Sequence, residues 1–305
     1  MTDFTEIIFD KHEIRKTRKQ KDDFIRSFVE YADSLGYKTN VEKGSLGAKN
    51  IIVGSPEASR VVFTAHYDTC AVMPVPNFIT PKNMGLYLLY QIFISLIMLF
   101  PSLLVAGILA YLESDFAFLG WYVSFLLTYI LFIAGPANKH TANDNTSGVT
   151  VITDLMNKLP DEAKSEVAFI LFDFEEAGLL GSDSYNSKHK KEMKDKLLIN
   201  FDCVSDGNNF IFALQKGAIG YKDLLEDCFK GNGEFTVEVL NKGIFYPSDQ
   251  MMFKCGVGVA ALKRTAKGTL YMDRIHTKRD TVYQEKNIEF LVDGCITLVG
   301  KLRQG

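Results

Sequence analysis

Residues 166–176 have the sequence EVAFILFDFEE, an almost continuous apolar run that ends in three carboxylates. Such a run is typical of a strand that is covered on both faces, as in the parallel sheets of α/β proteins. Two similar runs, RVVFTAH at 60–66 and KLLINFD at 196–202, end in a histidine and an aspartate. Ligands of open α/β sheets bind outside the carboxyl ends of the strands. The sequence therefore predicts a ligand site at one edge of a sheet.

Helical and strand-like segments alternate along the chain outside residues 84–136. Helical periodicity is found at 11–36, 148–159 and 284–303. Strands are predicted at 37–42, 50–54, 60–66, 166–173, 196–202, 210–214 and 257–263. This alternation predicts an α/β three-layer sandwich with a mixed, mainly parallel central sheet.

Composition excludes some classes of partner. The 305 residues have a net charge of −3 and a pI of about 6.0, so we expect no nucleic-acid partner. The basic stretch from Lys11 to Lys21 precedes apolar residues at helical spacing, and we expect it to be a solvated helix face.

The five cysteines show no CxxC spacing and are predicted to be buried free thiols. Cys70 and Cys203 lie close in sequence to candidate ligands, and a role as soft metal ligands stays open.

Residues 84–136 are the most apolar part of the chain. The segment 84–112 has no charge, and 116–135 has none either; Glu113 and Asp115 lie between them. A helix of 29 residues reaches about 43 Å, which exceeds the ~30 Å hydrocarbon core of a bilayer. Pro101 is expected to kink it. We predict a transmembrane hairpin of two helices, with a buried hairpin or a dimer interface as the alternatives.

The flanks of the hairpin predict its orientation. Lys82 precedes it, Lys139 follows it, and the turn carries only acids, a pattern that favours the cytoplasm for both ends. The first sixteen residues contain no apolar run of the kind found in a secretory signal peptide. We expect one cytoplasmic catalytic domain, 1–83 with 137–305, held at the membrane by the insert 84–136.

Acids and histidines surround the insert. Taken singly, His66 at a strand end and Asp144 before a helix have structural explanations, such as a helix cap for the aspartate. Asp68 is placed to orient the His66 imidazole. The whole set of candidate ligands is His66, Asp144, Glu176, Asp202 and His276, with Glu175 as a spare carboxylate. Five ligands are too many for one catalytic zinc and suit two zinc ions, ~3.5–4 Å apart, that share a carboxylate.

The motifs TAHYD, ANDNTSGV, FDFEEAGLLGS, NFDCVS and IHTKRDT occur in that order. Together they resemble the signature blocks of the co-catalytic di-zinc aminopeptidases, a family that includes glutamate carboxypeptidases and glutaminyl cyclases. The resemblance spans about 50–305 apart from the insert. It implies a zinc aminopeptidase that hydrolyses the N-terminal residue of peptides.

The resemblance also implies roles for single residues. One zinc would be held by His66, Asp144 and Glu176. The other would be held by Asp144, Asp202 and His276. Glu175 would be the general base, Asp68 and Asp280 would be supporting carboxylates, and Tyr246 is a candidate for assisting the oxyanion.

Two departures from the family pattern stand out. The insert places the bridging aspartate 78 residues after His66, where the family has some twenty, so the hairpin must leave and return near the mouth of the site. Ser248-Asp249-Gln250 stands where family members often have SDH.

Other functions stay open at this point. A glutaminyl cyclase-like acyltransferase would use one zinc, and an amidase would act on N-acylated or lipidated amino acids. A membrane scaffold without activity has no need of the Glu175–Glu176 pair. We also hypothesise that the hairpin delivers hydrophobic peptides to the zinc ions.

Overall fold

The computed structural model describes residues 3–304. Within that range the helices are α1 (Asp3–Lys11), α2 (Arg18–Ser34), α3 (Met84–Tyr111), α4 (Ala117–Ala134), α5 (Gly148–Lys158), α6 (Leu180–Lys188), α7 (Lys190–Met193), α8 (Lys222–Cys228) and α9 (Glu285–Gln304). The strands are β1 (Thr39–Lys43), β2 (Lys49–Val53), β3 (Val61–His66), β4 (Val167–Phe172), β5 (Leu197–Phe201), β6 (Asn209–Leu214), β7 (Thr236–Leu240), β8 (Gly256–Arg264) and β9 (Leu270–Tyr271).

The strands form one mixed sheet in the order β1-β2-β4-β3-β5-β8-β6-β7, with β9 paired to β8. The four central strands, β4, β3, β5 and β8, run parallel to one another. Antiparallel pairs, β1 with β2 and β2 with β4, lie on one side, and β6 pairs antiparallel with β8 on the other. The predicted α/β fold with a mixed sheet is confirmed.

Helices cover both faces of the sheet. On one face, α2, α5 and α9 pack on the strands through the largest apolar cluster, which includes Phe28, Leu155 and Leu291. On the opposite face, Tyr185 of α6 and Met193 of α7 pack against Phe172 and its neighbours. β3, β4 and β5 are buried along their whole length, as their uninterrupted apolar sequence predicts.

The N-terminal helix differs from the prediction. The periodicity at 11–36 predicts one helix, but α1 ends at Lys11 and α2 begins at Arg18. Thr17 accepts a hydrogen bond from the main chain of Gln20, whose side chain bonds back to Thr17, so a capping box starts α2. The six residues between the two helices carry Arg15 into the protein interior.

The basic stretch is not a fully solvated face, so this prediction was wrong for two of its residues. Arg15 is completely buried and donates to the main-chain oxygens of Tyr67 (2.5 Å) and His12 (2.6 Å). Lys21 is also buried, and its Nζ lies 2.7 Å from Oδ1 of Asp173. Both cations turn inward because the sheet edge beneath them carries acids.

The apolar insert forms a helical hairpin on the outside of this domain. Asn83 caps α3 by accepting from the main chain of Leu86 at 3.0 Å. Each helix has a most apolar 18-residue window, of which 11% is buried in α3 and none in α4. This low burial rules out the alternative of a buried hairpin. Both helices have the length and composition to cross a membrane, a property that core helices and signal sequences share. An isolated bridge between Ala71 and Ala137 joins the segment before the hairpin to the segment after it.

We predict that Lys21→Met lowers the free energy of unfolding by about 3–5 kcal/mol, because it leaves the buried Asp173 carboxylate without its cation. The main-chain N–H of Lys49, 3.0 Å from the same carboxylate, does not replace the charge. Urea unfolding in detergent measures the change. The control is Lys19→Met, which removes an exposed cation from the same helix. Equal stability of the two variants would contradict the prediction.

Candidate metal centre

The parallel strands bring the predicted ligands together. β4, β3 and β5 are adjacent and parallel, so their carboxyl ends meet at one edge of the sheet. His66 is the last residue of β3, and Asp202 directly follows β5. Glu175 and Glu176 follow β4 after two residues. Asp144 reaches the same edge from the loop that precedes α5.

Asp144 lies between the two histidines. Its Oδ1 is 3.4 Å from Nε2 of His66, and its Oδ2 is 3.1 Å from Nε2 of His276. Nε2 of His66 also lies 3.6 Å from Oδ1 of Asp202, and Nε2 of His276 lies 3.3 Å from Oε2 of Glu176. One carboxylate therefore faces two ligand groups through its two oxygens.

This arrangement groups the residues differently from the resemblance. The contacts place Asp202 with His66 and Glu176 with His276, whereas the resemblance implied the opposite assignment of the two acids. Glu176 also comes within 4.8 Å of His66 in a group with Glu175, so the two halves adjoin. The order of motifs along the chain cannot settle this grouping because all five side chains meet at one edge.

Several buried atoms at this edge have no hydrogen-bond partner in the described chain. They include Nε2 of His66 and Oε1 of Glu176. Buried polar atoms are normally hydrogen-bonded, and those that are not call for an unseen water or ion. An imidazole nitrogen and carboxylate oxygens are the donors that zinc takes in proteins. The residues present therefore fit a pair of zinc ions.

The charges of the cluster agree with this fit. Burial raises the pKa of Glu175 and of Glu176 well above the ordinary value, and neighbouring carboxylates add to the rise. Burial lowers the pKa of His66, but the carboxylates around it, Glu175 foremost, raise it to well above the usual range. So many acids within a few ångströms need positive charge nearby to stay ionised.

Asp68 and Asp280 fix the loops that carry the candidate ligands. Nδ1 of His66 lies 3.1 Å from the main-chain oxygen of Asp68, closer than the 3.5 Å to the carboxylate that we expected to orient the ring. The Asp68 carboxylate instead accepts from the main-chain N–H groups of Glu175 (3.1 Å) and Glu176 (3.3 Å). Asp280 accepts from the main-chain N–H groups of Asn143 (2.9 Å) and Asp144 (3.0 Å).

Sequence reasoning missed Asn145. Its Nδ2 donates to the main-chain oxygens of Phe201 (3.0 Å) and His66 (3.3 Å). Its Oδ1 accepts from the main-chain N–H groups of Gly148 (3.1 Å) and Cys203 (3.2 Å). One buried amide thus ties the ends of β3 and β5 to the Asp144 loop. The signal in the sequence was the asparagine after Asp144, which on its own indicates only a helix cap.

The remaining candidates have mixed outcomes. All five cysteines are free; Cys70 lies in a group with Glu176 and His276 whose ligand atoms are within 4.8 Å, but no such group contains Cys203. The hydroxyl of Tyr246 donates to the main-chain oxygen of Asp202 at 3.0 Å, which engages its proton. Gln250 is buried and donates to the main-chain oxygen of Tyr246 at 2.7 Å.

Two cavities flank the ligands, and the hairpin lines both. The first, which we call the ligand pocket, has a volume of about 230 Å³ and is lined by Tyr87 and Gln91 of α3 together with the candidate ligands Asp144, Asp202 and His276. The second, of about 510 Å³, is lined by Lys16, Glu176 and the foot of α4, residues 133–137. The expectation that the hairpin adjoins the mouth of the site agrees with these contacts.

We predict that zinc content separates the two groups. Asp144→Ala loses both ions because it faces both histidines, and His66→Ala/Asp202→Ala loses one because both residues belong to one half. Asp202→Ala/Glu176→Ala loses both because it damages both halves. Elemental analysis after dialysis, with the fold checked by circular dichroism, measures the content. Loss of both ions from His66→Ala/Asp202→Ala, with one retained in Asp202→Ala/Glu176→Ala, would contradict the grouping.

The family model described as Peptidase family M28 matches residues 127–290, just over half of the chain. The match includes Asp144, Glu175, Glu176, Asp202 and His276 and begins after His66. No curated protein matches.

Solved structures share the fold. The LapA aminopeptidase of Legionella pneumophila has a TM-score of 0.58 and 13% identity, over 98% of this chain and 68% of that one. A leucine aminopeptidase precursor from Bacteroides thetaiotaomicron has a TM-score of 0.57 and 14% identity, over 97% and 94%. A glutaminyl cyclase from Macrostomum lignano has a TM-score of 0.58 and 12% identity, over 99% and 89%. The solved structures support the fold, and the family match shows the kinship: this chain belongs to peptidase family M28.

Proposed function

We propose that the protein is a zinc-dependent aminopeptidase that removes N-terminal residues from peptides. The observation that carries this proposal is the position of Asp144, whose two carboxylate oxygens face His66 and His276 separately. A carboxylate shared in this way suits a two-metal hydrolase better than a single-metal site.

Each half of the site supplies a ligand set. His66 and Asp202 would hold one zinc, Glu176 and His276 would hold the other, and Asp144 would be shared. When bound, the two ions supply Lewis acidity, which polarises a scissile carbonyl and lowers the pKa of a water molecule.

In this proposal Glu175 acts as the general base. It lines the ligand pocket. Among the described residues it forms no ion pair with a histidine within 4.0 Å. Its raised pKa suits a group that takes a proton from water and returns it to the leaving amine. Asp68 acts through the main chain, because it holds the N–H groups of Glu175 and Glu176 and so sets where both side chains begin.

The pocket supports exopeptidase action. Its volume is below the range of about 300–1,000 Å³ that is usual for ligand pockets. A pocket of this size favours a terminal residue over a long peptide segment. No lysine or arginine of residues 3–304 lines it, so its lining does not repel a substrate with a free α-ammonium group.

We predict that Glu175→Gln keeps its zinc and loses about 10²–10⁴-fold in kcat, because the amide cannot accept the proton. Elemental analysis and turnover of leucine and glutamine N-terminal fluorogenic peptides are measured together. Glu162→Gln, which changes an exposed acid outside the ligand pocket, is the control. Wild-type activity in Glu175→Gln would refute the base assignment. If the parent protein cyclises the glutamine peptide and hydrolyses neither peptide, a glutaminyl cyclase would be favoured.

The hairpin is the basis of a second part of the proposal, which is that residues 84–136 anchor the enzyme in a bilayer. α3 has 28 residues and α4 has 18, with mean hydropathies of 2.6 and 1.9. Large apolar side chains such as Leu89, Phe100 and Phe118 are exposed along both helices. With Lys82 and Lys139 at the feet, the domain formed by 1–83 and 137–305 would lie in the cytoplasm.

We predict that Ser114→Cys, in the acidic turn, is labelled by a membrane-impermeant maleimide in intact bacterial cells. The turn would emerge on the outer side of the membrane. The matched variant Ser34→Cys, exposed at the end of α2, is labelled only after lysis. The parent protein gives the background, since four of its five cysteines are buried. Labelling of Ser34→Cys in intact cells would contradict the orientation.

A further inference from the structure

We infer that the first two turns of α3 form a wall of the substrate pocket and that Gln91 on this wall determines which N-terminal residue is accepted. This inference rests on the proposed function, because it concerns the substrate of the same site. It assigns a substrate-selecting role to the hairpin itself, in addition to that of an anchor.

The two helices of the hairpin differ in length. α3 is longer than α4 by ten residues (28 − 18), which corresponds to about 15 Å of helix. The helices are antiparallel and joined by a short turn, so the excess lies at the start of α3. These first turns therefore extend past the end of α4 and pack against the catalytic domain.

A helix cap, a hydrogen bond and two aromatic contacts hold this part of α3 in place. Asn83 caps the helix, the ring of Tyr87 contacts that of Phe245 at 5.7 Å between centroids, and the hydroxyl of Tyr90 donates to the main-chain oxygen of Pro76 at 2.7 Å. Phe78 also contacts Tyr90 at 5.2 Å. The wall is thus fixed to the domain before a substrate arrives.

Gln91 is the only side-chain amide within α3, and it lies one turn beyond Tyr87 on the same face. Both residues line the ligand pocket together with Glu175, Asp144 and His276. Neither Gln91 nor Asn77, the other amide that lines this pocket, makes a side-chain hydrogen bond to any residue from 3 to 304. Both amides are free to bind a substrate.

The chemistry of the wall selects for a neutral residue. Next to the amides it has the apolar side chains of Ile79, Tyr87 and Ile275. No lysine or arginine of the described residues lies on it to pair with an acidic side chain, and its carboxylates are already engaged as candidate metal ligands or base. The substrate class is therefore a peptide with an uncharged N-terminal residue, apolar or amide-bearing.

Charge substitutions at Gln91 test the inference. The probes are the hydroxamates of leucine, glutamate and lysine, which chelate metal ions, and the matching aminoacyl fluorogenic amides. The full-length zinc-loaded protein in detergent is used for calorimetric binding and for kcat/KM. Gln91→Lys is expected to raise the glutamate-to-leucine ratio, and Gln91→Glu the lysine-to-leucine ratio, each by about tenfold.

The controls place the same charges elsewhere on α3. Gly85→Lys and Gly85→Glu lie outside the pocket, where an added Cβ has Asn83 Oδ1 as its nearest neighbour at 3.7 Å. They should leave both ratios unchanged, and zinc content should be equal in all variants.

Ratios that shift equally in the Gln91 and Gly85 variants, or in neither, would overturn the inference. Hydroxamate binding that depends on Gln91 without hydrolysis of any amide would refute the aminopeptidase and leave this wall intact. Hydrolysis of the leucine amide with unchanged ratios would support the aminopeptidase and refute the role of Gln91.

Discussion

The concentration of buried acids at one edge of a parallel sheet is the constraint on which the rest of the structure depends. β4, β3 and β5 end side by side, and the loops after them and before α5 bring four carboxylates within a few ångströms of two imidazoles. Like charges this close cannot all stay ionised without cations. A pair of divalent ions would meet that need and would supply the Lewis acidity of the proposed hydrolysis.

The supporting structure answers the same constraint. Asp68 and Asp280 accept main-chain N–H groups from the loops that carry the candidate ligands, and they fix those loops. Arg15 is buried beneath the same edge and donates to Oγ1 of Thr146, two residues after Asp144, at 3.1 Å. Burial lowers its pKa to about 10, with Asp68 the chief opposing charge, and it remains a cation at neutral pH.

Much of the fold could be predicted because the central strands are continuous apolar runs. β7 was missed because it lies at the edge of the sheet and is only half-buried, so its sequence lacks such a run. The burial of Lys21 was missed because its partner, Asp173, lies 152 residues away. The candidate ligands could be listed from motifs, but their division into two groups depends on side-chain directions that spacing does not encode. The roles of these residues stay a proposal.

Asn145 presents a chemical vulnerability. Its amide gives two hydrogen bonds to carbonyl oxygens and receives two from N–H groups, and a carboxylate can reproduce only the second pair. Deamidation at this position would set an anionic oxygen against the buried main-chain carbonyl oxygens of His66 and Phe201. Chemical modification of this one side chain would then remove the hydrogen bonds that join the ends of β3 and β5, which carry the clustered acids.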